Sequence, residues 1–344
     1  MNTRRIFSQT MSIPALIIAG WLAASLVGCA KASDDQPLRI YTYDSFVSEW
    51  GPGAAIAAAF EAETGLKVEM VDTGDAGQTL ARLMSESANP QADIVIGLDN
   101  HLLPKALAAD VLLPYKPKNA DLVAERLRLD ADWHLTPFDY GTFAIIWDSE
   151  ALAVPPRSLE DLTRPEYAKQ LILMDPRSST PGLGFLAWIH QIYGDGLADY
   201  WQRLSPSVLV MAPGWSAGYS LFENGEAPLV LSYTTSAAYH AEYGTAGRYQ
   251  ALEFAEGHPL QIEGVGIVRG TKRLSAARRF LDFVLTSGFQ EHIPLNNWMY
   301  PVNQEIPLPA SFSQAPEPQR SFMVAAEALE GLDRIALDAL QAGQ

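Results

Sequence analysis

Apolar and polar positions along this chain fall into short alternating runs separated by stretches with helical spacing. Leu38-Arg39-Ile40-Tyr41-Thr42-Tyr43 alternates and reads as a first strand. Ile56 and Phe60 share one face of a helix over 54–63, with Gly65 placed to stop it. A second strand over 66–71 leads into the polar loop Asp72-Thr73-Gly74-Asp75-Ala76-Gly77. A helix over 79–86, with Leu80, Leu83 and Met84 turned inward, precedes a buried strand over 93–98. This β-α-β-α-β opening predicts an α/β fold with a parallel sheet. No G-x-G-x-x-G follows the first strand and no Walker A sequence occurs, which argues against dinucleotide and nucleotide sites.

Further on, Pro137-Phe138-Asp139-Tyr140-Gly141 leads into a strand over 142–147, and a domain crossing is placed there. A strand over 171–174 is followed by Ser179-Thr180-Pro181-Gly182-Leu183-Gly184 and a helix over 185–192. Hydroxyls and free N–H groups between a strand and a helix make an anion pocket, or simply an N-cap with proline in the first turn. Strands over 208–211 and 229–232 flank Gly214-Trp215-Ser216-Ala217-Gly218-Tyr219, and a return strand covers 261–268. Leu274, Ala277, Phe280, Leu281 and Val284 mark a helix stopped near Gly288. An irregular aromatic stretch (296–302), a proline-rich loop (307–318) and a last helix over 322–340 complete the reading.

The chain has 344 residues, enough for two domains, and a net charge of -16, which argues against nucleic-acid binding. Arg4 and Arg5 precede an apolar run that is short for a membrane span and ends in Leu26-Val27-Gly28-Cys29. That ending looks like a bacterial lipobox, with Cys29 the residue to be lipidated; Thr3-Arg4-Arg5-Ile6-Phe7 also resembles a twin-arginine signal. Cys29 is the single cysteine, so no intramolecular disulfide forms.

Tyr43, Trp215, Tyr233, Tyr239 and Trp298 lie at strand ends or in segments rich in Ser, Thr, Gly and Asn. Such rings suit a flat cationic ligand. Asp75 either pairs with a ligand amine or solvates its loop. Gly214 to Gly218 also spells G-x-S-x-G, which would make Ser216 a nucleophile with His258 or His292 as base. No HGGG-type oxyanion segment accompanies it. The six histidines are scattered, and no Tyr-Tyr pair of the kind ferric carriers use is present.

Many ordered segments resemble the thiamine-binding proteins of bacterial ABC importers over nearly all of the mature chain. They include Tyr41-Thr42-Tyr43-Asp44-Ser45-Phe46, Gly97-Leu98-Asp99-Asn100, Pro137 to Gly141, Ser179 to Gly184, Gly214-Trp215-Ser216, Leu231 to Ser236 and Asn297-Trp298-Met299-Tyr300-Pro301-Val302. The resemblance implies a two-lobed type II periplasmic-binding-protein fold with a ligand cleft between the lobes. The expected organisation is an export signal with lipobox at 1–29, a discontinuous lobe 1 of 38–140 plus 269–344, and lobe 2 of 141–268. The implied role is capture of thiamine or its phosphate esters for a membrane permease and ATPase. It implies no catalysis, cofactor or metal, and a monomer in the periplasm that touches the membrane only through a lipid. Carried over by position, Asp75 and Ala76 line the pyrimidine side, where the family has Asp-Gly. Ser179, Thr180, Trp215, Tyr233, Thr234, Thr235, Ser236 and Ala237 match other ligand-contacting positions. Tyr239 and Trp298 match aromatics facing the thiamine rings, and Tyr43 joins them. A thiamine precursor and ferric ion are the alternative cargoes.

Overall fold

The computed structural model describes residues 36–324 and 331–332. The export signal, Cys29 and most of the helix expected over 322–340 lie outside the described residues; Ser321–Phe322 is a short strand instead. In chain order the strands are β1 (Leu38–Thr42), β2 (Val68–Asp72), β3 (Ile94–Asp99), β4 (Leu112–Leu113), β5 (Thr136–Asp148), β6 (Leu171–Met174), β7 (Val208–Ala212), β8 (Leu229–Tyr233), β9 (Tyr249–Ala251), β10 (His258–Val268), β11 (Tyr300–Pro301) and β12 (Ser321–Phe322). The helices are α1 (Gly53–Thr64), α2 (Ala76–Ser85), α3 (Leu103–Ala108), α4 (Thr180–Tyr193), α5 (Leu197–Leu204), α6 (Trp215–Glu223), α7 (Ser236–Glu242), α8 (Leu274–Val284), α9 (Ser287–Gln290) and α10 (Ile293–Asn296).

The first sheet runs β2-β1-β3-β10-β5. Its β1, β2 and β3 are parallel, as the β-α-β-α-β opening predicts, and β10 lies antiparallel between β3 and β5. The second sheet runs β5-β8-β6-β7. Strand β5 serves both: Thr136 to Thr142 pair with β10, and Phe143 to Asp148 with β8 and β9. The expected lead-in and strand over 142–147 are thus one strand of 13 residues. Pro137 is tolerated because it faces Gly264, where the ladder shifts register. Strand β10 pairs with β3, β4 and the first half of β5.

Helices α1 and α8 cover one face of the first sheet through Ile56, Phe60, Phe280 and Leu281. Helices α2 and α3 cover the other through Leu80, Leu83, Leu103 and Ala106. On the second sheet, α4, α5 and α6 bury Phe185, Trp188, Trp201 and Phe222. Each large apolar side chain buried this way contributes roughly 1.5–3 kcal/mol. Helices α2 and α4 start earlier than their apolar spacing predicts, because Ala76-Gly77 and Pro181-Gly182 carry no apolar stripe. Gly182 has a packing reason: a Cβ there would stand 2.4 Å from the Met174 carbonyl oxygen, so a larger residue would push α4 off the end of β6.

Candidate ligand-binding site

Strand ends from both sheets and the first turns of α2, α4, α6 and α7 surround one crevice. Its inner part is lined by Tyr43, Asp44, Ser45, Trp50, Asp75, Ala76, Thr180, Pro181, Trp215, Tyr233, Ser236, Glu263, Asn297, Trp298 and Met299. A wider outer part shares Asp44, Ser45, Trp50, Trp215, Ser236 and Trp298 with it, and adds Ser216, Tyr219, Glu223, Tyr239 and Tyr243.

The aromatic walls are fixed by contacts behind them. Trp215 donates its indole N–H to Ser232 Oγ at 2.8 Å and stacks on Tyr219, with ring centroids 4.8 Å apart. Trp298 meets Tyr239 edge-on at 5.2 Å and lies parallel to Phe312 at 6.5 Å. Its φ of 55° is left-handed, an arrangement that costs energy for a large side chain. Tyr233 donates to Gln261 Oε1 at 2.7 Å and stacks on Phe143. Tyr43, just past β1, donates to Glu263 Oε2 at 3.0 Å. Gly97 makes room for it: at φ 98°, a Cβ there would lie 2.3 Å from the Tyr43 ring.

Asp75 caps α2, and its carboxylate is where three helix N-termini converge. Oδ1 accepts from the Ala76 N–H at 2.7 Å and the Thr180 N–H at 3.2 Å, and Oδ2 accepts from the Trp215 N–H at 3.1 Å. These residues begin α2, α4 and α6, whose free N–H groups carry partial positive charge. Burial pushes the Asp75 carboxyl up to about 6, against the downward pull of these donors. The expected anion pocket at Ser179-Thr180 is therefore already filled by the protein's own carboxylate. The Ser179 hydroxyl lies beside it without a well-aligned hydrogen bond.

Of the residues expected from sequence, Tyr43, Asp75, Ala76, Thr180, Trp215, Tyr233, Ser236, Tyr239 and Trp298 line the crevice. Ser179, Thr234, Thr235 and Ala237 do not; they are buried in the turns behind it. Thr234, for instance, spends its N–H on the Thr142 carbonyl at 2.8 Å. Asp44, Ser45, Trp50, Pro181, Glu263, Asn297 and Met299 line the crevice as well, and were not expected there from sequence. Asp44 and Ser45 stand beside Tyr43 in a quoted motif, which was the available signal. Glu263 gave none, since it sits inside a strand.

Among the described residues, three carboxyls, Asp44, Asp75 and Glu263, line the inner crevice, and no Lys, Arg or His does. Burial raises all three above their ordinary range. Such a surface suits a flat cation, which gains from ring faces and from buried negative charge.

Ser216 lacks the partner a nucleophile needs. Its hydroxyl donates to Asp44 Oδ1 at 2.9 Å. The ring nitrogens of His258 are taken by the Phe254 N–H and the Phe143 carbonyl, and His292 lies beside Glu291. A fluorophosphonate probe is expected to leave the intact mass of the protein unchanged; a covalent adduct on Ser216 would contradict this.

Residues 52–291 match the family model of bacterial extracellular solute-binding proteins. A thiamine-binding periplasmic protein of Brucella melitensis is 42% identical over 303 residues, covering 87% of this chain and 90% of its own length. One of the same description from Escherichia coli is 40% identical over 284 residues, covering 82% and 85%. A solved periplasmic thiamin binding protein superposes with a TM-score of 0.83 at 38% identity, covering 89% of this chain and 95% of that one. The fold is accordingly the expected two-lobed, type II periplasmic-binding arrangement. With a family match running from α1 to α9 and a crevice at the strand ends of both sheets, the chain belongs to the bacterial extracellular solute-binding protein family.

Proposed function

We propose that this chain captures thiamine outside the cytoplasmic membrane and delivers it to an ABC importer. It is a binding protein, not an enzyme. The observation that carries the reading is the crevice itself: Tyr43, Trp215 and Trp298 around Asp44, Asp75 and Glu263, with no basic side chain in the lining among the described residues. Thiamine's thiazolium carries a permanent positive charge, and each ring face it meets is worth roughly 0.5–2 kcal/mol. The nine crevice-lining residues expected from sequence are the proposed contacts. Ser179, Thr234, Thr235 and Ala237 support them from behind. The proposed lobes meet where β5 passes from one sheet to the other, and thiamine closes them by a hinge motion. The chain works as a monomer held to a membrane through Cys29, needs no cofactor beyond its cargo, and docks on a permease coupled to an ATPase.

Among the described residues no group of three or more His, Cys, Asp or Glu is arranged for a metal ion. Phosphate esters of thiamine fit with the phosphate in the wide outer part of the crevice, since the Thr180 N–H is already used. Calorimetric titration with thiamine, thiamine monophosphate, thiamine diphosphate and the free aminopyrimidine tests the proposal. Thiamine is expected to bind tighter than about 10 μM, a free energy beyond roughly -7 kcal/mol. Weaker binding of all thiamine forms, or preference for the pyrimidine alone, would overturn it.

A further inference from the structure

Glu263 occupies an electrostatically awkward position. On β10 it stands directly opposite Asp99 of β3 on one side and Asp139 of β5 on the other. Three acidic residues thus form one lateral row across the sheet, Asp99 and Asp139 fully buried and Glu263 at 6% exposure where it reaches the crevice. Like charges directly opposite on neighbouring strands destabilise a sheet, and two carboxyls sharing one buried site retain a proton.

The hydrogen bonds show where that proton belongs. Asp99 is satisfied as a carboxylate: it accepts from the backbone N–H groups of His101 and Leu102 and contacts His101 Nδ1 at 2.9 Å. Asp139 Oδ2 accepts from Asn297 Nδ2 at 2.6 Å, whereas its buried Oδ1 meets no N–H or hydroxyl donor. Glu263 Oε2 accepts from the Tyr43 hydroxyl. An acid proton on Glu263, aimed at Asp139, completes the set. Burial, then Asp139, then Asp99 push the Glu263 carboxyl well above its ordinary value, and burial pushes Asp139 up to about 7. Among the described residues, the other titratable groups facing the row are Tyr43, Tyr233, His101 and Asp75, and no Lys or Arg neutralises it.

We propose that Glu263 is the charge-sensing residue of the crevice: neutral in the empty protein because Asp99 and Asp139 flank it, it loses its proton to solvent when a cation enters. This rests on the cationic-ligand reading above and adds to it that loading is coupled to proton release. A positive charge within about 4–6 Å favours the ionised carboxyl.

The test is calorimetric titration of thiamine into the full chain at about pH 7.5, above the range in which Asp75 takes up its proton, in buffers of differing ionisation heat. Release of about half a proton or more per thiamine is expected. The affinity should accordingly tighten by about threefold to tenfold per pH unit near neutrality. In Glu263→Gln, binding that remains should release no proton and be flat with pH. Asp139→Asn, which relieves the repulsion while keeping the shape, should also lose the coupling. Thiamine binding without proton exchange in the wild type overturns the inference and leaves the assigned cargo intact. Undiminished release in both variants places the proton elsewhere and also overturns it. No thiamine binding in any buffer removes cargo and inference together.

Discussion

Asp75→Ala is expected to weaken thiamine binding by about a hundredfold or more, which is about 3 kcal/mol. The carboxylate stands on α2 of the first sheet, but two of its donors, the Thr180 and Trp215 N–H groups, begin α4 and α6 on the second. Alanine would leave three helix-terminal N–H groups without an acceptor and remove a buried negative charge from the ligand's surroundings. Each orphaned donor costs about 1–3 kcal/mol if it stays buried, so the two lobes would part to let water reach them. A larger radius of gyration in small-angle scattering should accompany the lost affinity. An affinity within about fivefold of wild type would contradict this role for Asp75.

The pH dependence of the same residue has two opposite arms. Its carboxyl titrates near 6 in the folded chain because burial disfavours the charged form. A raised carboxyl pKa means that the protonated form favours folding. Its contribution is fully present below the unfolded value of about 3.9 and is lost as pH rises through about 6. The ligand-free protein should therefore gain stability from this group on acidification through 6. Thiamine affinity should fall over the same interval, because proton and cation compete for one carboxylate. Melting curves and titrations across this range, compared with Asp75→Asn, separate the two arms.

Trp298→Ala carries the second large effect, a loss of about 1–3 kcal/mol in binding, or roughly fivefold to 150-fold. The indole lies between the inner and outer parts of the crevice and is braced by Tyr239 and Phe312. Alanine at the same left-handed φ would carry strain of its own. Trp298→Phe is therefore the control: it keeps an aromatic face and should recover most of the affinity. Equal losses in both variants would assign the effect to backbone disturbance and remove Trp298 from the ligand's contacts.

Much of the fold could be read from periodicity. The strand Leu171–Met174 and the helix carrying Leu274, Ala277 and Phe280 appear where the apolar spacing places them. The aromatic half of the crevice was legible for a similar reason: Trp215, Tyr233 and Trp298 stand out among small polar neighbours. The electrostatic half was not. The donors that hold Asp75 come from 105 and 140 residues further along the chain, and Ser216 finds its acceptor on Asp44 at a separation of 172. Glu263 became visible as a crevice residue only once the register set it between Asp99 and Asp139. Local patterns specify strands and helices, but the meeting of two lobes is a long-range fact. That is also why Ser179 and Thr180 read as an anion pocket, when the anion is a side chain from a helix on the other sheet.

A crystal structure of the thiamine complex would decide whether this crevice is the binding site. The thiazolium is expected within about 6 Å of the Trp215 or Trp298 ring centre, with an acidic wall and no basic side chain beside it. Thiamine bound at saturation anywhere outside this crevice, or a crevice left empty in the complex, would contradict it.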